Sequence, residues 1–189
     1  MPPKMKVTKE EIIRAAVDVV REKGAGALNA RAVAAGLGVS TQPIFSHYKT
    51  MDALKADVIA YANGLYQSFL QRDMTSGEYP VYKGSGMAYI RFAREEKELF
   101  KLLFMRDRSD EVIPQNFDEI KPILQIIQQS TGLSEQDASL LHLEMWVCVH
   151  GIATMLATSY LEWNKETISR ILTDSYMGLK ERFCGKGEG

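Results

Sequence analysis

Apolar residues recur along this chain at intervals of three and four, and period-two alternation is nearly absent, so the pattern predicts helices and almost no strand. Ile12, Ala15, Ala16, Val19 and Val20 form one face of a first helix. Thr8-Lys-Glu-Glu11 ahead of it has capping-box form, and Gly24 and Gly26 end it. Asn29 caps a short second helix with Ala30, Val33, Ala34 and Leu37 inward, closed off by Gly36 and Gly38. Gly38 suits the positive φ of a tight turn, and Val39 fills the corner. Ser40 then caps a third helix with Pro43 at its third position. Ile44, Phe45 and Tyr48 are expected inward; Thr41, Gln42, Ser46 and His47 outward. Thr50 caps a fourth helix running through Leu54, Val58, Ile59, Leu65, Tyr66 and Phe69.

Residues 73–86, DMTSGEYPVYKGSG, predict a break. A fifth helix carries Met87, Ile90, Arg91 and Phe92, and a sixth spans Leu99 to Met105. After the polar loop RDRSDEVIP, Asn116 to Gln129 predicts a seventh helix ended by Gly132. Ser134 opens an eighth that is apolar nearly all round, and Asn164 caps a ninth. Residues 185–189 are predicted disordered by composition. The fold class is therefore all-α, with about nine helices.

Charge changes the picture. The chain carries 23 basic and 24 acidic residues, yet residues 1–55 hold nine Lys/Arg against five Asp/Glu, net +4, leaving −5 for the rest. A basic N-terminal quarter on an acidic body points to an anionic partner at that end, or to a solvated lysine-rich terminus. Cys148 and Cys184 stand far apart without metal spacing, which reads as two free thiols in a reducing cytoplasm. No apolar run approaches the ~20 residues of a membrane span, and MPPKMKVTKEE lacks the apolar core of a signal peptide.

Two short helices meeting at a glycine turn, the second with small and polar residues outside, form the layout that seats a recognition helix in a DNA major groove. An ordinary corner inside a helical bundle has the same pattern. The linked anchors Asn29-Ala-Arg-Ala-Val-Ala, Gly38-Val-Ser40, Ile44-Phe45-x-His47-Tyr48 and Asp52-x-Leu54 resemble the TetR family of bacterial transcriptional regulators. The resemblance covers about residues 8–55. It implies a helix-turn-helix DNA-binding domain at 1–52 (motif about 29–48), a helical ligand-binding and dimerisation domain at 53–184, and a homodimer.

Carried over residue by residue, the resemblance places Arg31 near a base or phosphate. It places Thr41, Gln42 and Pro43 at the exposed start of the recognition helix, and His47 and Lys49 near the phosphate backbone. Asn29, Ser40, Phe45, Ser46, Tyr48 and Thr50 complete the DNA-binding candidates. A groove-facing Gln42 reads adenine through N6 and N7, while an arginine reads guanine or anchors a phosphate. The chain departs from the family at Phe45, where a tyrosine is usual, and at Met51, where a lysine is usual. The phosphate-binding hydroxyl is then expected from Tyr48, and the charge from Lys49 or Lys55.

For the C-terminal part, Met87, Phe92, Phe100, Phe104, Met105, Phe117, Met145, Trp146, Cys148 and Met155 are ligand-pocket candidates, since methionine and aromatic side chains line adaptable apolar sites and also fill cores. Gly151, Ala153, Thr154, Ala157 and Thr158 thin the eighth helix for close approach, and with Ile168 and Tyr176 are dimer-interface candidates; a central core helix is the alternative. Met145-Trp-Val-Cys-Val-His-Gly also resembles a Trp-x-x-x-His-Gly element of some TetR-type ligand domains. His142 and His150, eight residues apart, are too distant to share a small ion unaided, and no phosphate loop or nucleophile elbow appears. The sequence thus reads as a DNA-binding regulator, a repressor released by a small apolar ligand, with no cofactor, metal, catalysis or membrane. The alternative is a helical ligand-binding or scaffold dimer that no longer contacts DNA.

Overall fold

The computed structural model describes residues 7–107 and 120–185. Among these, nine α-helices are formed: α1 Lys9–Lys23, α2 Ala30–Leu37, α3 Gln42–His47, α4 Met51–Thr75, α5 Val81–Glu95, α6 Lys97–Phe104, α7 Lys121–Thr131, α8 Glu135–Ala157 and α9 Lys165–Cys184. No strand occurs among the described residues. By contact the chain divides into two compact units. The first holds residues up to Gln67 together with Glu96–Arg106; the second holds Ser68–Glu95 and the residues from 107 onward.

In the first unit, α1 packs against α2 and α6. The α1 start is the expected capping box: Glu11 N–H donates to the Thr8 hydroxyl at 3.1 Å, and Thr8 N–H to the Glu11 carboxylate at 2.8 Å. Gly24 ends α1 with φ +79°. Ile12, Val17, Val20, Val33, Ile44, Leu54 and Val58 are essentially sealed from solvent, as are Leu99 and Phe100 of α6. Arg21 on α1 grips both oxygens of Glu96 at 2.8 Å, tying the α6 entry to α1.

The second unit is built on α8. This helix is long and apolar enough to cross a bilayer by composition alone, but its inner face packs against α5, α7 and α9. Ser134 and Asn164 cap α8 and α9 through the N–H groups of Asp137 and Thr167. Gly132 ends α7 in the left-handed conformation. The expected start of that helix at Asn116 lies outside the described residues, as do residues 186–189 of the tail.

The break expected at 73–86 is only the turn 76–80: α4 continues to Thr75 and α5 begins at Val81, not near Met87. Gly84 and Gly86, which read as breakers, are helical contact glycines. A Cβ on Gly84 would sit 2.9 Å from the Asp73 carbonyl oxygen, and one on Gly86 3.3 Å from Val149. At Gly84 the nearness of the α4 end excludes a side chain, and at Gly86 the approach to α8 is tight; neither glycine serves a turn.

Candidate functional site

The turn between α2 and α3 fixes what α3 exposes. Asn29 caps α2, its side-chain oxygen accepting from Ala32 N–H at 2.9 Å. Gly38 closes the helix at φ +66°, a backbone that side chains disfavour. Helix α3 then starts one residue later than expected. Thr41, not Ser40, stands at the cap, in helical backbone geometry that prevents its hydroxyl from capping, and Pro43 falls in the first turn where an N–H has no partner to lose.

Ile44 is fully buried and Tyr48, one turn on, is 4% exposed. These two anchors exhaust the inward face of so short a helix. Phe45, expected inward, is rotated out of the core by about 100° and is 53% exposed. Tyr48, expected to lend a hydroxyl to phosphate, is turned the other way: its hydroxyl donates to Asp57 at 2.7 Å. Lys9 meets the same carboxylate at 2.8 Å and lies over the Tyr48 ring. Burial and the Asp57 hydrogen bond raise the Tyr48 phenol far above its ordinary range, while Lys9 and Tyr48 lower the Asp57 carboxyl.

The other candidates separate by what already occupies them. The Asn29 amide is used at both ends, for its cap and for the Ala27 carbonyl. The Ser46 hydroxyl donates back to the Gln42 carbonyl, and the Thr50 hydroxyl accepts from Ala53 N–H at the start of α4. The exposed His47 ring lies with Nε2 2.9 Å from the carbonyl of Val7. Arg31, Gln42 and Lys49 are exposed, and their side chains have no hydrogen-bond or ion-pair partner among the described residues. With Phe45, Thr41 and Pro43, they are what this end of the unit offers a ligand.

The second unit distributes its candidates differently. Met87, Phe92 and Met145 are buried, Cys148 and Met155 half-buried, and Trp146 is 44% exposed. Phe117 lies outside the described residues. Phe100 and Phe104 belong to the first unit, where they meet at 5.2 Å and Phe104 stands edge-on to Tyr66 of α4. Met105, beyond the end of α6, is exposed.

A recess of about 390 Å³ opens in the second unit, with Met87 the one pocket candidate on its wall; its other residues, among them Arg72, Arg91, Arg94 and Lys165, are largely charged. Arg91 on α5 donates to both oxygens of Asp73 at 2.8 and 2.9 Å and lies 4.3 Å over Phe69. An arginine amid the apolar positions of helix five was the only sequence sign of this cluster.

Two further polar pairs cross the α5–α8 packing. Tyr82 meets His142 Nδ1 at 3.1 Å and Tyr89 meets His150 Nδ1 at 2.8 Å, pairings that suit neutral rings protonated on Nε2. Burial lowers both imidazoles below their ordinary range. Trp146 stacks on His150 with centroids 4.9 Å apart, accounting for the Trp-x-x-x-His spacing as one helical turn. Both cysteines are free.

The small-residue face of α8 is not all outward. Ala153, Ala157 and Ile168, expected at a dimer interface, are 0–1% exposed because they face the core of their own unit. Tyr176 is half-buried with its ring against Tyr82. The apolar surface that remains open runs along Leu140, Leu143 and Val147, which are 45–58% exposed, and at the same three- and four-residue steps narrows to the half-buried Gly151 and Thr154 before the exposed Thr158.

Comparison with known proteins gives the family. The description "Bacterial regulatory proteins, tetR family" matches residues 12–58, and "Tetracyclin repressor-like, C-terminal domain" matches residues 83–175. No curated protein sequence matches the chain. Among solved structures, a TetR-like transcriptional regulator from Rhodococcus sp. RHA1 is similar at 17% identity, covering 91% of both chains with a TM-score of 0.63. The multidrug binding protein EbrR, complexed with imidazole, is similar at 19% identity over 88% of both chains, TM-score 0.58. A TetR variant from Acinetobacter baumannii AYE in complex with minocycline is similar at 15% identity over 94% of this chain and 97% of the other, TM-score 0.56.

Proposed function

This chain belongs to the TetR family of bacterial transcriptional regulators, and on that footing we propose that it is a cytoplasmic, homodimeric repressor released from its operator by a small ligand. The observation that carries the reading is the division of labour on α3: Ile44 and Tyr48 anchor it, leaving Gln42 and Phe45 outward, and Arg31 and Lys49 on its flanks are exposed too. In this reading residues 1–52 dock the duplex. Gln42 reads a base edge, Phe45 and the Pro43 ring touch thymine methyl groups, and Arg31 and Lys49 meet phosphates. Asn29, Ser46 and Thr50 shape the surface and Tyr48 braces it from behind.

So short a reading surface discriminates few base pairs, which favours two half-sites and a dimer. The open stripe of α8 suits a second copy of the chain. It is continuous, apolar and small-residue at one end, and Met177 and Gly178 of α9 are exposed as well. Apolar surface of this kind is rarely left to water.

In this reading the ligand binds in the second unit. Support comes from the C-terminal family match and from the ligands named with two similar folds, imidazole and minocycline. Ligand can shift DNA affinity only by the difference in its own affinity for two states. The relay in this reading is α4, one unbroken helix that supplies residues to both units, with Phe104 of α6 against its Tyr66. A change in the separation of the two recognition helices, against half-sites fixed ~34–36 Å apart, would release the dimer. No catalytic step is involved.

Footprinting of the purified protein on genomic fragments tests the reading. It is supported by a protected, two-fold related site spanning two adjacent major grooves, and overturned by binding that never rises above the non-specific level.

A further inference from the structure

The charged recess of the second unit has an asymmetry that specifies a ligand. It is bounded by the last turn of α4, the turn that follows, α5 and the first turn of α9. Its floor is apolar, formed by Met87, Ile90 and Ile168, each 7% exposed or less. Its walls carry four cations, Arg72, Arg91, Arg94 and Lys165, against three carboxylates, Asp73, Glu78 and Glu95.

The pairing among these groups leaves positive charge at one end. Arg91 is committed to Asp73 by two hydrogen bonds and to the Phe69 ring below it, and reaches Glu95 at 3.5 Å, while Arg72 lies 3.6 Å from Asp73. Lys165 pairs with Glu78, but both side chains are about half exposed, so the pair contributes little and exchanges readily. Arg94 donates to the backbone carbonyl of Trp163, a neutral acceptor, and has no carboxylate partner among the described residues. Lys165 is the first residue of α9, so the positive end of a 20-residue helix lies at the same place. One net positive charge above an apolar floor, in a volume of small-molecule size, favours a singly charged anion with a short apolar tail. A cation would meet Arg94, and a neutral apolar molecule would leave the wall charges poorly solvated.

We propose that this recess binds an amphiphilic carboxylate, its head between Arg94 and Lys165 and its tail over Met87, Ile90 and Ile168. The assignment rests on the second unit being the ligand unit, and it names the chemical class of the ligand.

Calorimetric titration of the full-length protein with octanoate and with uncharged octanamide tests it in the absence of DNA. Octanoate is expected to bind once per chain, with octanamide roughly tenfold weaker or undetectable, the scale of one charge-assisted hydrogen bond. Arg94→Gln should lower octanoate affinity by a similar factor at an unchanged melting temperature, and Arg94→Lys should restore most of it. No octanoate binding, equal binding of the amide, or indifference to Arg94→Gln overturns the site. Octanoate binding that responds to Arg94→Gln yet leaves DNA affinity unchanged supports the recess and overturns its role in release.

Discussion

Phe45 and Tyr48, three residues apart at the end of the recognition helix, face opposite media. Phe45 is 53% exposed, whereas Tyr48 is 4% exposed with its hydroxyl on Asp57. The roles that family pattern would give these aromatics therefore separate. Tyr48→Phe should cost about 1 kcal/mol in urea denaturation, the worth of one hydrogen bond with Asp57 still held by Lys9. It should leave the salt dependence of DNA binding unchanged. Phe45→Ala should do the reverse, with stability nearly intact and DNA affinity reduced. A Tyr48→Phe variant with a flatter salt slope would place that hydroxyl on a phosphate after all.

Assembly should depend on the open stripe of α8. Val147→Glu puts a charge at a position 58% exposed in the single chain, so the fold should survive while sedimentation reports monomers. Ala157→Arg, by contrast, places a charge at a site 1% exposed within the unit and should unfold it. A Val147→Glu protein still dimeric at low micromolar concentration moves the interface off α8.

The two glycines of opposite context in α4 and α5 give a paired stability test. Gly84→Ala drives a Cβ to 2.9 Å from a backbone carbonyl that cannot yield cheaply, and should cost about 1–3 kcal/mol. Gly64 sits mid-helix with open space at its Cβ position, and Gly64→Ala should stabilise by up to ~1 kcal/mol. Equal effects in denaturant titrations would contradict the close approach at Asp73.

Stability should fall as pH drops from about 7 towards 5. Burial lowers the folded-state values of His142 and His150, so in that window the unfolded chain binds more protons than the native one. The native advantage is thus full above the ordinary imidazole range and is lost as pH falls through it. Asp57, lowered by Lys9 and Tyr48, contributes its own loss only at more acid pH, below the usual carboxylate range. Replacing both histidines with asparagine should flatten the first decline and leave the second. An unchanged first decline would assign it to other groups.

Much of this molecule is legible in local sequence because helix boundaries are local events. The caps at Thr8, Asn29, Ser134 and Asn164, the left-handed Gly38 and the helix end at Gly132 depend on neighbours within a few residues, and they form as read. What misled was tertiary. Gly84 and Gly86 look like loop residues until the backbone they approach is known. Ala157 and Thr154 lie one turn apart, yet only the packing of α5 and α9 decides which faces the core. The Tyr48–Asp57–Lys9 and Arg91–Asp73 links join residues whose spacing carries no signal, so beyond an arginine among apolar positions the charged recess leaves no mark in the sequence.

Whether α3 and its flanks carry DNA binding is tested most directly by salt titration of affinity for a footprinted operator, comparing the natural chain with Arg31→Ala, Gln42→Ala and Lys49→Ala. Removing a side chain that meets one phosphate should flatten the slope of log affinity against log salt by ~0.9. The Lys49 and Arg31 variants should therefore show shallower lines on operator and non-operator DNA alike. Gln42→Ala should keep the slope and lose ~1–3 kcal/mol of preference at one base pair per half-site. Identical slopes and preferences in all four proteins would contradict a DNA interface on this face.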